Sequence, residues 1–162
     1  MRRRGVLAGA LAALGLAGCA GGPPAADPSE PASGSEPAPG PGIALVGTDL
    51  RVGSSDCGRR VDQARVSFDP GTPAVAVGGT VRGSDTCHTA RLVDAAYDPA
   101  TDRLVVRVAA ARRASTGTPA CGQCIVEIGY AATCSFDGGL PGTVRVVHGT
   151  GSDARVVATA RR

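Results

Sequence analysis

Tryptophan and lysine are absent from this 162-residue chain, methionine occurs once, and Phe and Tyr occur twice each. Four aromatic rings are too few for the stacking platforms that hold single-stranded nucleic acids. Without Lys, the basic residues are 17 Arg, set against 14 Asp and Glu. Three of those Arg stand at positions 2 to 4, so the remainder of the chain carries 14 charges of each sign and is neutral. A neutral surface gives no electrostatic basis for binding nucleic-acid phosphates or anionic lipid headgroups. Catalytic motifs are missing as well: there is no G-x-S-x-G elbow, and the glycines of 148–153 have neither GxGxxG spacing nor a phosphate-loop Lys. The sequence locates the protein without naming a reaction.

What is present begins with an address. Met1-Arg2-Arg3-Arg4 is a charged start, and residues 5–16 are an apolar run of Gly, Val, Ala and Leu. That run has the length of a signal segment and falls short of the roughly 20 residues that span a bilayer. It closes with Leu16-Ala17-Gly18-Cys19, which matches the lipobox of lipoproteins. By that match residues 1–18 are a removable signal peptide, and Cys19 becomes a lipidated N-terminus. No other cofactor is expected. Arg3-Arg4-Gly5-Val6-Leu7 also has the pattern of a twin-arginine export signal. Two lipid chains suffice for stable anchoring. The expected location is the outer face of the cytoplasmic membrane, with the membrane as partner through the lipid alone.

Residues 19–42 hold the lipidated Cys and a spacer with seven of the twelve prolines, mixed with Gly, Ala and Ser. Such a composition has too little to bury and stays disordered. In polyproline II form, at about 3.1 Å per residue, it would span up to roughly 70 Å. It serves equally well as a simple tether.

Residues 43–162 are long enough for one core and contain seventeen Val, a β-type composition. Apolar residues recur at period two, as in Ala64, Val66 and Phe68, or Leu104, Val106 and Val108. Phe68-Asp69-Pro70-Gly71, Tyr97-Asp98-Pro99-Ala100 and Phe136-Asp137-Gly138-Gly139 carry turn chemistry at strand ends. Eight strands are expected, at 44–52, 62–68, 74–82, 86–97, 103–110, 124–136, 143–148 and 154–160. They predict an all-β, antiparallel β-sandwich, Ig-like in size, with a small β-barrel as the alternative.

Beyond Cys19 there are five cysteines. Cys134 alternates with Ala132 and Phe136 on the apolar face of its strand, and reads as a buried, inert thiol. Cys57, Cys87, Cys121 and Cys124 are the disulfide candidates, and admit three pairings. Pairing Cys57 and Cys87 crosswise to Cys121 and Cys124 would close two loops worth roughly 3 to 4 kcal/mol each. The alternative role for Cys121-Gly122-Gln123-Cys124 is a redox pair, although the motif opens a strand rather than the helix that activates thioredoxin-like thiols. A metal alternative recruits Cys87, His88, Cys121 and Cys124, which are zinc or copper ligand types. Neither His88 nor His148 lies in a catalytic motif, and both read as surface or strand-end residues. Arg112-Arg113 and the following 114–119 form a long connection beside the CxxC, a natural place for a binding surface.

Taken together, Cys57-Gly58, the run from Ala64 to Asp69, Gly83-Ser84-Asp85-Thr86-Cys87, Cys121-Gly122-Gln123-Cys124 with Glu127 and Tyr130, and the run from Phe136 to Gly142 leading to His148 resemble the uncharacterised lipobox-containing secreted lipoproteins of haloarchaea. The resemblance implies export and lipid anchoring and brings no established activity. Its framework is four cysteines, and Cys134 is additional to it. The functional expectation is therefore an extracytoplasmic lipoprotein with a non-enzymatic binding or structural role at the surface. The competing expectation is a thiol-disulfide or metal-handling protein.

Overall fold

A computed structural model describes residues 42–58, 62–114 and 120–162. The expected signal, Cys19 and all of the spacer except Gly42 lie outside the described residues, as does 115–119 of the connection beyond Arg112-Arg113.

The strands are β1 (Ala44–Cys57), β2 (Gln63–Asp69), β3 (Ala74–Gly83), β4 (His88–Asp98), β5 (Arg103–Arg112), β6 (Val126–Asp137), β7 (Thr143–His148) and β8 (Arg155–Arg161). They form two four-stranded sheets, ordered β1-β6-β3-β2 and β4-β5-β7-β8. The sheets are separate, so the domain is an eight-strand sandwich and not a closed barrel. Strand β1 runs five residues further than period-two reading allows. Register shifts between Leu45 and Gly47 and between Val52 and Ser55 break the alternation while the strand continues through Gly53 and the two serines.

The second departure from expectation is that β5 and β7 pair in parallel, the other pairings being antiparallel. The chain leaves β5, returns as β6 in the opposite sheet, and comes back to the first sheet as β7. Two reversals restore the original direction, and the intervening strand supplies the crossover that a parallel pair requires.

The core is the period-two pattern of both sheets facing each other. Val126, Ile128, Tyr130, Ala132, Cys134 and Phe136 of β6 are buried against Leu104, Val106, Val108, Val144 and Val146. Outward positions of β6 are partly or fully exposed. Two of the four rings meet across the sheets, Tyr97 edge-on to Phe136 with centroids 5.7 Å apart. The Cys134 thiol is unpaired and buried, and burial pushes its pKa up to about 11. Residues 43–162 fall within a single compact unit that holds the described core and both disulfides.

The register sorts the loops to two ends. At one end, Asp69 accepts hydrogen bonds from the Gly71 and Thr72 amides, and Asp98 from the Ala100 amide. These are the turns read from the sequence. Beside them Asp102 takes a positive φ of 47° and accepts the Tyr97 hydroxyl proton at 2.9 Å. β1 also starts at this end, Ala44 pairing with Asp137, so the chain enters the sandwich here. The opposite end gathers the C-terminal ends of β1, β3, β5 and β7 with the starts of β2, β4, β6 and β8.

Candidate functional site

All four disulfide candidates and both histidines meet at this second end. Cys57 is bonded to Cys124, with Cα atoms 5.7 Å apart, and Cys87 to Cys121, at 5.4 Å. Of the two crosswise pairings, the nested one is therefore adopted. Cys121 and Cys124 are bonded to these partners and not to each other. Instead the short segment is fastened at one side to the end of β1 and at the other to the residue before β4, which lie in different sheets. Backbone bonds reinforce it, from Gly122 to the Thr86 hydroxyl at 2.7 Å and from Thr86 to the Gly122 carbonyl at 3.2 Å.

The residues of the metal alternative, Cys87, His88, Cys121 and Cys124, are brought near one another with different partners. The sulfurs of Cys87 and Cys121 lie with an Asp85 oxygen within 4.8 Å of one another, but those sulfurs share a bond and are not thiolates. His88 directs Nδ1 to Asp85 at 2.8 Å. That contact and the Cys87 amide bond hold the Asp85 carboxyl below its usual range.

A second polar group sits deeper. Inward-facing parity places Tyr130 after Ile128 on β6 and His148 after Val144 and Val146 on β7. Asp62, just before β2, has the parity of Ala64 and Val66. The His148 Nε2 lies 2.7 Å from the Tyr130 hydroxyl, and its Nδ1 lies 3.0 Å from Asp62 Oδ1. An ionised carboxylate only accepts, so the proton belongs on Nδ1 and the Tyr130 hydroxyl donates to Nε2. Asp62 Oδ2 accepts from Arg155 Nη2, and Arg82 Nε stands 4.0 Å from the same oxygen. The expectation of His148 as a surface group is thus corrected: it ends its strand but is 1% exposed.

Space for the tyrosine is made by Gly79, its cross-strand neighbour on β3. A Cβ at Gly79 would lie 2.6 Å from both the Gln63 carbonyl oxygen and the Tyr130 hydroxyl. Because the carbonyl is backbone and cannot swing away, Gly79→Val is expected to destabilise the domain by about 2 kcal/mol or more. A urea melt measures this, and an unchanged midpoint would mean the ring is not seated over Gly79.

Electrostatics separate the network into a fixed interior and a wet exterior. Burial drives the Tyr130 phenol well above its ordinary value and lowers His148 to about 4. Tyr130 is 5% exposed and its proton is committed to His148, so the tyrosine, histidine and aspartate do not present a base or nucleophile to a substrate. They hold Asp62, whose side chain is 9% exposed, and Asp62 holds the guanidiniums of Arg82 and Arg155, which are 41% and 47% exposed. These arginines border a cleft of about 580 Å³, lined also by His148, Thr150, Ser152 and Asp153.

Compared with known proteins, the chain matches no family model, no curated protein and no solved structure. The site must be read from its own geometry. Its discoverable signal was a polar residue at inward parity: a His continuing the Val144, Val146 series, and an Asp preceding the Ala64, Val66 series.

Proposed function

We propose that the protein is an exported lipoprotein, held by lipid on Cys19 at the outer face of the cytoplasmic membrane. Its spacer carries a disulfide-stabilised sandwich that binds a small polar ligand. The observation that carries the binding role is the position of the polar cleft. Its charged wall is set by a buried network, and it opens at the end opposite to where the chain enters the sandwich. Investing a buried Asp and His in fixing two half-exposed arginines favours recognition over plain surface structure. Two disulfides fit an oxidising compartment, and the lipobox and the resemblance to haloarchaeal lipoproteins support the anchor.

In cells that make the protein, Cys19→Ala is expected to move it from the membrane fraction to the soluble fraction and remove the lipid mass from its N-terminus. Continued membrane retention of the variant would refute the anchor.

A second reading, a thiol-disulfide role, draws on one contact: Arg112 Nη2 donates to Cys121 Sγ at 3.3 Å, which would favour Cys121 as a leaving thiolate. Titration against redox buffers separates the two readings. Structural bonds resist reduction down to about −300 mV or lower. In that case a single thiol is found, at Cys134, and only after unfolding. Reduction of the Cys87 to Cys121 bond in the thioredoxin to glutathione range would favour the second reading instead.

A further inference from the structure

We infer that the ligand of this cleft is a small zwitterion with a carboxylate and a primary ammonium group a few bonds apart, as in a simple amino acid. The inference rests on the binding role proposed above and names the class of molecule bound.

Among the described residues, the ionisable ones bordering the cleft are Asp62, Asp153, Arg82, Arg155 and His148. His148 is neutral, being buried with its single proton on Nδ1. Two negative and two positive groups balance among the described residues of the cleft. A multivalent anion or a simple cation would leave an unbalanced charge there, whereas a molecule carrying one charge of each sign would not.

The placement of those charges separates their roles. Asp62 is already committed: Oδ1 accepts from the His148 Nδ1–H, and Oδ2 accepts from Arg155 and stands 4.0 Å from Arg82 Nε. Its one negative charge is therefore engaged by the arginines, which makes it a poorer partner for a ligand cation than an unpaired carboxylate. Each guanidinium has five N–H donors in a planar fork, of which Asp62 engages only some. Two guanidiniums sharing one carboxylate leave one positive charge in surplus and free donors at the cleft, the complement of a single carboxylate. Asp153 is different. It lies on the neighbouring 3-10 turn Gly151–Asp153, is exposed, and makes no ion pair among the described residues. Its carboxylate is available for a cation. Thr150 and Ser152 beside it offer hydroxyls as neutral donors and acceptors.

No Phe or Tyr lines the cleft, so there is no aromatic cage of the kind that recognises quaternary ammonium groups. Recognition by a carboxylate and hydroxyls requires a group with N–H donors, which a primary ammonium has. The volume of about 580 Å³ lies in the roughly 300–1,000 Å³ range of small-molecule sites.

The test uses residues 43–162, with amide chemical shifts followed during titration by L-alanine, acetate, ethylammonium and glycerol. L-Alanine is expected to shift Thr150, Asp153 and Arg155 saturably. Acetate and ethylammonium, which carry one end each, should bind at least ~10-fold more weakly, the loss of one charge-assisted contact. Asp153→Asn, on an exposed turn where the fold is safe, should bring L-alanine down to the affinity of acetate and leave acetate itself unchanged. Arg155→Lys, which keeps a cation for Asp62, should weaken both. Acetate binding as tightly as L-alanine would overturn the zwitterion in favour of a simple anion site. A response to glycerol alone would overturn it and leave the binding role standing. No shift in the cleft with any probe would overturn both.

Discussion

Replacing Cys57 and Cys124 together by Ala is expected to lower the unfolding free energy by about 4 kcal/mol, and the Cys87, Cys121 pair by nearly as much. The separations of 67 and 34 residues set these values, through the chain entropy that each bond removes from the unfolded state. Loop size enters logarithmically, so the two losses should differ by only about 0.6 kcal/mol. Total stability of a domain this size is of the order of 5–15 kcal/mol, and this core is light: its largest fully buried apolar side chains are Leu104, Ile128 and Leu140. Loss of one bond should leave a folded but weakened sandwich, and loss of both should leave little folded protein at 37 °C. Urea unfolding of the three variants, at constant m-value, measures this. A loss under about 1 kcal/mol for either pair would contradict the entropic account.

The second large effect centres on His148. Truncation to Ala removes a buried ring, and strands the Tyr130 hydroxyl and the inner oxygen of Asp62 without partners. About 3–5 kcal/mol should be lost at neutral pH, the sum of cavity formation and unpaired polar groups. Tyr130→Phe, which orphans only Nε2, should cost about 1–3 kcal/mol.

The wild-type protein should also show acid lability with a definite sign. His148 is lowered to about 4 in the folded state by burial, against 6.5 for an ordinary histidine. Between those values the unfolded chain binds the extra proton and the native one does not. Stability is therefore complete above pH 6.5 and declines as pH falls toward 4. By linkage, burial alone would set the loss at about 3 kcal/mol. The Asp62 carboxylate, 3.0 Å from Nδ1, favours the charged ring and makes the slope shallower. Stability measured from pH 7.5 to 4 in wild type and His148→Ala checks this. A slope of the same size in both would show that the acid sensitivity comes from elsewhere.

Much of the architecture was legible because period-two alternation is a direct imprint of a sheet with one face buried. The alternation in β6 from Val126 to Phe136 placed Cys134 inside, and Asp69 and Asp98 marked their turns through side-chain geometry that needs no tertiary context. The parallel pairing of β5 with β7 was not legible, because strand propensity is blind to which sheet a strand joins. The polar network escaped for a related reason. Asp62, Tyr130 and His148 are distant in sequence and share only inward parity, and parity alone does not say that β2, β6 and β7 bring them together. The CxxC left the pairing open, since its spacing alone does not say that the partners lie 34 and 67 positions away.

The two disulfides are nested, the Cys87 to Cys121 bond lying inside the span of the Cys57 to Cys124 bond. In a chain delivered N-terminus first, the first two of these four cysteines to reach an oxidant are Cys57 and Cys87, which are not native partners. Oxidation during delivery would join them. The thiolate of Cys121, arriving later, must then attack the Cys87 sulfur, forming the inner native bond and releasing the Cys57 thiolate. Oxidation of the freed Cys57 with Cys124 completes the outer bond. Maturation by this route is governed by thiol exchange as much as by oxidant supply, and the close spacing of Cys121 and Cys124 brings both correct acceptors into place almost together.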